Sequence, residues 1–226
     1  MTDIEPVRSL GPGVVAGFTT RAFSPAGAGS DGARARLAER TGLPIASVGQ
    51  VHGADVATVR EPGHTPEHDG LVTDVRGLVL SVVAADCGVV LLADAEAGVV
   101  GACHSGWRGT VAGIVGRTVD AMTSLGAEPS RIRAALGPCI SLDAFEVGEE
   151  VAAQFDPAVV SRRPEWPRPH VDLRAELARQ LAAAGVAEVK ASDACTVGDN
   201  DRFFSYRAEG GTPGRMLGFI GLRLMP

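Results

Sequence analysis

The sequence predicts a mixed α+β fold, a layered sheet core with flanking helices, and three observations carry that expectation. Short Val- and Leu-rich runs recur through the first half of the chain, bounded by Gly, Asp or His as strands commonly are. Two later segments carry apolar residues at helical spacing instead. Both kinds of segment lie along 226 residues that contain no repeat, low-complexity tract or dividing linker. One domain spanning residues 1–226 is therefore expected, large enough for a sizeable core.

In chain order, residues 14–18, 48–51, 56–59, 78–84, 89–93 and 99–103 read as strands. Residues 61–70, EPGHTPEHDG, read as a turn-rich loop from their Pro and Gly content. His64 and His68 have a spacing that could ligate a metal on a helix, but the proline-interrupted loop leaves them as solvated side chains. Beyond the last of these strands, Val111, Ile114, Val115, Thr118, Val119 and Met122 share one helical face, with Thr110 placed to cap and Gly126 to terminate. Residues 132–136 then read as a strand, GPCI as a turn and residues 148–155 as a short helix. A second long helix starts at Asp172, carries Leu173, Leu177 and Leu181 at four-residue steps, and stops at Gly185. The segments FFSY, residues 203–206, and MLGFIGLRL, residues 216–224, close the sheet.

Composition excludes several classes of function. A net charge of −6 without a basic run argues against nucleic acid as a partner, and no apolar run is long enough to span a membrane. The opening residues MTDIEPVRSLGPG carry no charged-then-apolar signal segment, so a cytoplasmic location is expected. Reduced thiols at Cys87, Cys103, Cys139 and Cys195 agree with that location. Cys103 reads as a core residue; Cys139 and Cys195 take no assigned role.

His52, Cys87 and His104 each stand at the end of an apolar run, in QVHGADV, SVVAADCGVVLLAD and GVVGACHSGWRGT. Zinc in a catalytic site takes three N or S ligands and keeps a fourth position open, which this set could supply. Taken alone, the same residues are more usually a small core thiol and two hydrogen-bonded histidines. Gly106, Arg108 and Gly109 precede the helix that Thr110 is expected to open, so N–H groups and a guanidinium outline an anion site beside His104. A plain cap with a solvated Arg108 is the alternative. Trp107 reads as core packing. Arg21, Tyr206 and Arg207 follow apolar runs and could bind substrate; for the arginines, a structural salt bridge is the competing role. Asp86 is either a proton carrier or a turn residue.

The strings QVHGADV, ADC with VLLAD, HSGWRGT, GPCI, FEVG, and FFSYR with GRM run in order from about Val14 to Leu224 and resemble the YfiH family, the peptidoglycan editing factors or laccase-domain polyphenol oxidases. Val89 stands where that family usually has proline, Phe145 where it has tyrosine, and Ala208-Glu209 where it has Arg-Asp. Its Asn-Leu-Gly and Gly-Asp-Asp stretch is replaced here by AFSPAGAGSDGARARLAER. The resemblance implies a sheet fold similar to the cytotoxic necrotizing factor deamidases, with zinc held by His52, Cys87 and His104. It also implies phosphorolysis of adenosine, inosine or methylthioadenosine, with some adenosine deamination, so the expected partners are a purine nucleoside and phosphate. Two other chemistries fit the residues. One is a cysteine hydrolase or amidase acting on peptidoglycan precursors, with Cys87 as nucleophile and His104 as base. The other is a copper oxidase, which five histidines are too few to equip as a multicopper laccase.

Overall fold

The fold was determined as a computed structural model, which describes residues 2–24, 31–186, 188–211 and 214–224. Among the described residues, fourteen strands form two six-stranded mixed sheets and a two-stranded ribbon. The strands are β1 (Ile4–Pro6), β2 (Val14–Thr19), β3 (Ile45–Val48), β4 (Val56–Thr58), β5 (Gly63–Thr65), β6 (Gly70–Thr73) and β7 (Val79–Ala84), followed by β8 (Gly88–Asp94), β9 (Val99–Ser105), β10 (Arg133–Leu136), β11 (Val160–Ser161), β12 (His170–Val171), β13 (Glu188–Ala191) and β14 (Met216–Leu222). One sheet has the order β1-β2-β14-β7-β3-β5, the other β13-β10-β8-β9-β6-β4, and β11 pairs with β12. The helices are α1 (Asp31–Thr41), α2 (Trp107–Val111), α3 (Ile114–Ser124), α4 (Glu149–Ala152), α5 (Leu173–Ala183) and α6 (Tyr206–Glu209).

The sheets pack face to face, and alternation along each strand sorts its side chains between two hydrophobic layers. In β8, Val89 and Leu91 join Phe18, Leu80, Val82 and Ile220 in the layer between the sheets. Val90 and Leu92 point the other way, under Ile114, Met122, Leu177 and Leu181 of α3 and α5. On the outer face of the first sheet, Leu37 of α1 packs with Phe23, Val79 and Phe219. Strands covered on both faces become continuous apolar runs, which is how β7, β8 and β9 read in the sequence.

Several element boundaries differ from expectation. The strand expected at 48–51 is β3, which starts at Ile45 and ends at Val48. The expected loop 61–70 contains β5 and reaches β6, whose GLVT is completely buried. Thr110 does not cap a helix: α2 begins at Trp107 with Gly106 as N-cap, and the Thr110 hydroxyl donates back to Gly106 O at 3.0 Å. Gly113, at φ 78°, breaks α2 from α3, and Gly126, at φ 98°, follows the end of α3 as expected. Asp172 caps α5, accepting from Ala175 N at 2.9 Å. FFSY does not join a sheet: Phe203 and Phe204 pack in a small cluster with Ala85 and Met216, and Ser205 caps α6. Part of the AFSPAGAGSDGARARLAER segment, residues 25–30, lies outside the described residues.

Candidate metal centre

Two of the connections that carry the chain between sheets meet the end of β9. Residues 49–55 leave β3 in the first sheet for β4 in the second and carry His52; residues 85–87 cross from β7 to β8 and carry Cys87. His104 is the penultimate residue of β9 and pairs in register with Val89, so it faces the layer between the sheets while Cys103 faces α3. The donor atoms of His52, Cys87 and His104 all lie within 4.8 Å of one another. Among the described residues this is the one cluster of three or more His, Cys, Asp or Glu side chains placed to hold a metal.

Asp69, which precedes β6, organises the cluster. Its buried carboxylate accepts N–H groups from Val51 (3.0 Å), His52 (3.0 Å) and Gly53 (2.7 Å), and lies 2.8 Å from His104 Nδ1. His52 sits at φ 61°, a left-handed conformation that non-glycine residues rarely adopt, and this N–H fork holds it there. Because Asp69 occupies His104 Nδ1, Nε2 is left for the cluster. Gln50 fastens the same loop to β7, its Nε2 donating to Val83 O at 2.8 Å and its Oε1 accepting from Val83 N at 2.7 Å.

Charge follows the geometry. Burial works against ionisation of Cys87, but hydrogen bonding and proximity to His104 and His52 outweigh it and bring the thiol down to about 6. Burial also disfavours a charged His104, yet Asp69 and Cys87 raise it to about 9. Cys103, by contrast, is pushed up to about 12 by burial and is an inert core thiol.

The residues fit a borderline metal such as zinc. They supply two imidazole nitrogens and a thiolate, with exposed His52 leaving one side open. Gly106 keeps the space between them clear: a Cβ there would come to 3.0 Å from both Cys87 Sγ and His52 Cδ2.

The cluster opens into a cavity of about 700 Å³, whose walls include Trp107, Arg108, Phe145, Tyr206 and Arg207. Arg108 lies within α2, its guanidinium 4.3 Å from the Trp107 ring, and forms no ion pair among the described residues. Helix α2 has five residues, so the cation beside His104 is the guanidinium, not a long helix dipole. Arg207 donates to the carbonyls of Ala144 (2.9 Å) and Glu146 (3.0 Å). Arg21 is not among the cavity-lining residues; it pairs with Glu209 at 2.5 Å and donates to Asn200 O at 2.7 Å, the structural role that competed with substrate binding. Asp86, at φ 84°, accepts from the Thr196 hydroxyl and from Arg207 N, both at 2.6 Å. Trp107 both lines the cavity and packs against Val147, Phe155 and Val171. His64 lines the cavity rim with Nδ1 3.0 Å from Ser47 Oγ, while His68 Nδ1 meets Pro66 O at 2.6 Å.

The chain belongs to the YfiH family, described as multi-copper polyphenol oxidoreductase laccase, which it matches over residues 30–223. Among its relatives is a protein of Deinococcus radiodurans named purine nucleoside phosphorylase, 45% identical over 84% of this chain and 76% of the relative. Another, from an unknown prokaryotic organism and named adenosine deaminase RL5, is 43% identical over 65% of this chain and 59% of the relative. The crystal structure of YlmD from Geobacillus stearothermophilus superposes with a TM-score of 0.85 at 34% identity, covering 94% of this chain and 93% of that one.

Proposed function

We propose that the chain is a zinc-dependent purine nucleoside phosphorylase acting on adenosine, inosine or methylthioadenosine, with adenosine deamination as a second activity. The observation that carries this reading is the His52, Cys87 and His104 cluster opening on a cavity walled by aromatic and cationic side chains. The names of the relatives support the choice of nucleoside. Zinc, when held by the three ligands, would supply a Lewis acid to polarise a substrate oxygen or nitrogen or to activate water. Trp107, Phe145 and Tyr206 offer aromatic surface to a base. Among the cavity-lining arginines, Arg108 is assigned to phosphate, while Arg207 holds two carbonyls. Asp86, held by the Thr196 hydroxyl and Arg207 N, positions the loop that carries Cys87.

The test is product identification from adenosine with and without phosphate. Adenine and ribose 1-phosphate should form only with phosphate, and inosine reports deamination. Arg108→Ala should raise the KM for phosphate by about tenfold or more, as loss of a charge-assisted contact does, and the nucleoside KM far less. Equal adenine release without phosphate would mean hydrolysis and reject the phosphorylase.

One observation favours a second reading, the cysteine hydrolase: the Cys87 thiol, held to about 6 beside His104, has the character of an activated nucleophile. Chelation separates the two. A ligand thiolate becomes open to iodoacetamide only when metal is removed, and activity leaves with the metal. A nucleophile keeps full activity after chelation and loses it on alkylation of Cys87 alone.

A further inference from the structure

Away from the metal ligands, two other cysteines meet. Cys139 follows β10 and Cys195 follows β13, and the two pair as an isolated parallel β-bridge. The bridge extends the parallel β10–β13 ladder, in which Arg133 faces Glu188 and Leu136 faces Ala191, with one extra residue on the Cys195 side. Bridged backbones lie roughly 4.8 Å apart, inside the roughly 4.4–6.8 Å between Cα atoms that a disulfide spans. Both thiols are free.

Their surroundings differ in a way that divides the labour of a redox pair. Cys195 is half-buried, and the Ser141 hydroxyl with the backbone N–H groups of Gly198, Ser141 and Val197 converges on its sulfur. Burial opposes a thiolate there, but these donors outweigh it and hold the thiol below its ordinary value. Cys139 is buried at 1% exposure, with Arg174 Nη2 4.0 Å from its Sγ, and burial pushes its thiol up to about 11. The first is partly exposed and poised to attack an oxidant; the second is enclosed beside it.

We propose that Cys195 and Cys139 form a reversible, peroxide-driven disulfide. Hydrogen peroxide, a two-electron oxidant, accepts attack by the Cys195 thiolate: an S–O bond forms, the O–O bond breaks, and hydroxide leaves. The Cys139 sulfur then attacks the Cys195 sulfenic acid; the S–S bond forms, the S–O bond breaks, and the departing hydroxide takes the Cys139 proton as water. The cross-link ties together the two segments that grip the loop of Cys87. Ile140 N donates to Asp86 O at 2.9 Å, the Thr196 hydroxyl donates to Asp86 Oδ1 at 2.6 Å, and Thr196 N donates to Cys139 O at 3.2 Å. Oxidation therefore fastens the clamp on Asp86 in the arrangement already present.

Peptide mapping of the full-length protein tests this. Reduced protein is treated with hydrogen peroxide, blocked with iodoacetamide and digested without reductant. The expected result is a linked Cys139–Cys195 peptide that dithiothreitol releases, together with a thermal midpoint raised by about 5–10 °C, the scale for closing a loop of this length in a chain of this size. In Cys139→Ser, dimedone should trap a sulfenic acid on Cys195, and Ser141→Ala should slow Cys195 oxidation severalfold. Cys195 oxidising no faster than buried Cys103, or linkage confined to Cys87, would overturn the proposal.

Discussion

Asp69 lies in a segment that reads as a turn-rich loop, yet its carboxylate joins three backbone N–H groups of the His52 loop to the ring of His104. Burial would neutralise it, but hydrogen bonds from His104, Gly53 and Val51, with the charge of His104, outweigh burial and keep its pKa below the ordinary carboxylate value. Asp69→Asn keeps the size but cannot accept from all of them. It should weaken metal binding by about 10–100-fold, the usual cost of losing a partner behind a histidine ligand, read by competition with a chelating dye. Gly106→Ala tests the space in front of the ligands in the same assay. Gly106 has φ −71°, which any residue adopts, so the thermal midpoint should hold while the added Cβ, 3.0 Å from Cys87 Sγ and His52 Cδ2, lowers metal affinity. A variant that binds metal as wild type does would show the cluster can yield. His52, Cys87 and His104 were legible because each ends an apolar run. Asp69 and Gln50 were not, because their work is done on backbone groups of segments far along the chain; the one local trace of Asp69 is its place just before the apolar GLVT.

Elements were legible where burial is two-sided or amphipathic. β7, β8, β9 and β14, α3 and α5 follow from their apolar patterns, with Asp172 and the glycines Gly126 and Gly185 as punctuation. The short edge strands β1, β5 and β13 are half-exposed and carry too few apolar residues to stand out. FFSY read as a strand because two buried phenylalanines imitate one. The competing signal was Ser205, whose hydroxyl accepts from Ala208 N and whose own N–H donates to Glu209 Oε1 at 2.8 Å, a reciprocal helix start. The β8–β9 turn rests on Asp94, which accepts from Glu96 N, Ala97 N and Glu128 N and pairs with Arg131 at 3.0 Å. Burial pushes its carboxyl toward neutrality, but those N–H groups and the guanidinium hold it below the ordinary 3.8. A carboxyl depressed by folding adds stability that is complete above about pH 4 and lost as pH falls through the native value. Asp94→Asn should therefore cost about 2 kcal/mol at pH 7 and much less at pH 3, measured by urea unfolding at both. An equal cost at the two pH values would deny the charge its role.

The whole molecule is a sandwich in which the chain passes between sheets beside the end of β9, and two of those crossings carry candidate ligands. His52 and Cys87 come from connections between sheets, and His104 from a strand packed between its neighbours, so assembly of the centre depends on the two sheets being docked. The layered class was legible from patterning, but the strand orders were not. Pairing of β14 between β2 and β7 joins residues nearly the whole chain apart, and no local pattern encodes that. Arg21 shows the same limit: at the end of β2 it has the look of a binding residue, and only the long-range contact with Glu209 reveals its ion pair. Among the described residues no helix is long and apolar enough to cross a membrane. The proposed metal site at these crossings is tested most directly by elemental analysis of protein produced with zinc and copper both available. About one zinc per chain is predicted for the wild type, and almost none for His52→Ala, Cys87→Ala or His104→Ala variants that retain the wild-type circular dichroism. Full zinc in those folded variants, or stoichiometric copper in the wild type, would contradict it.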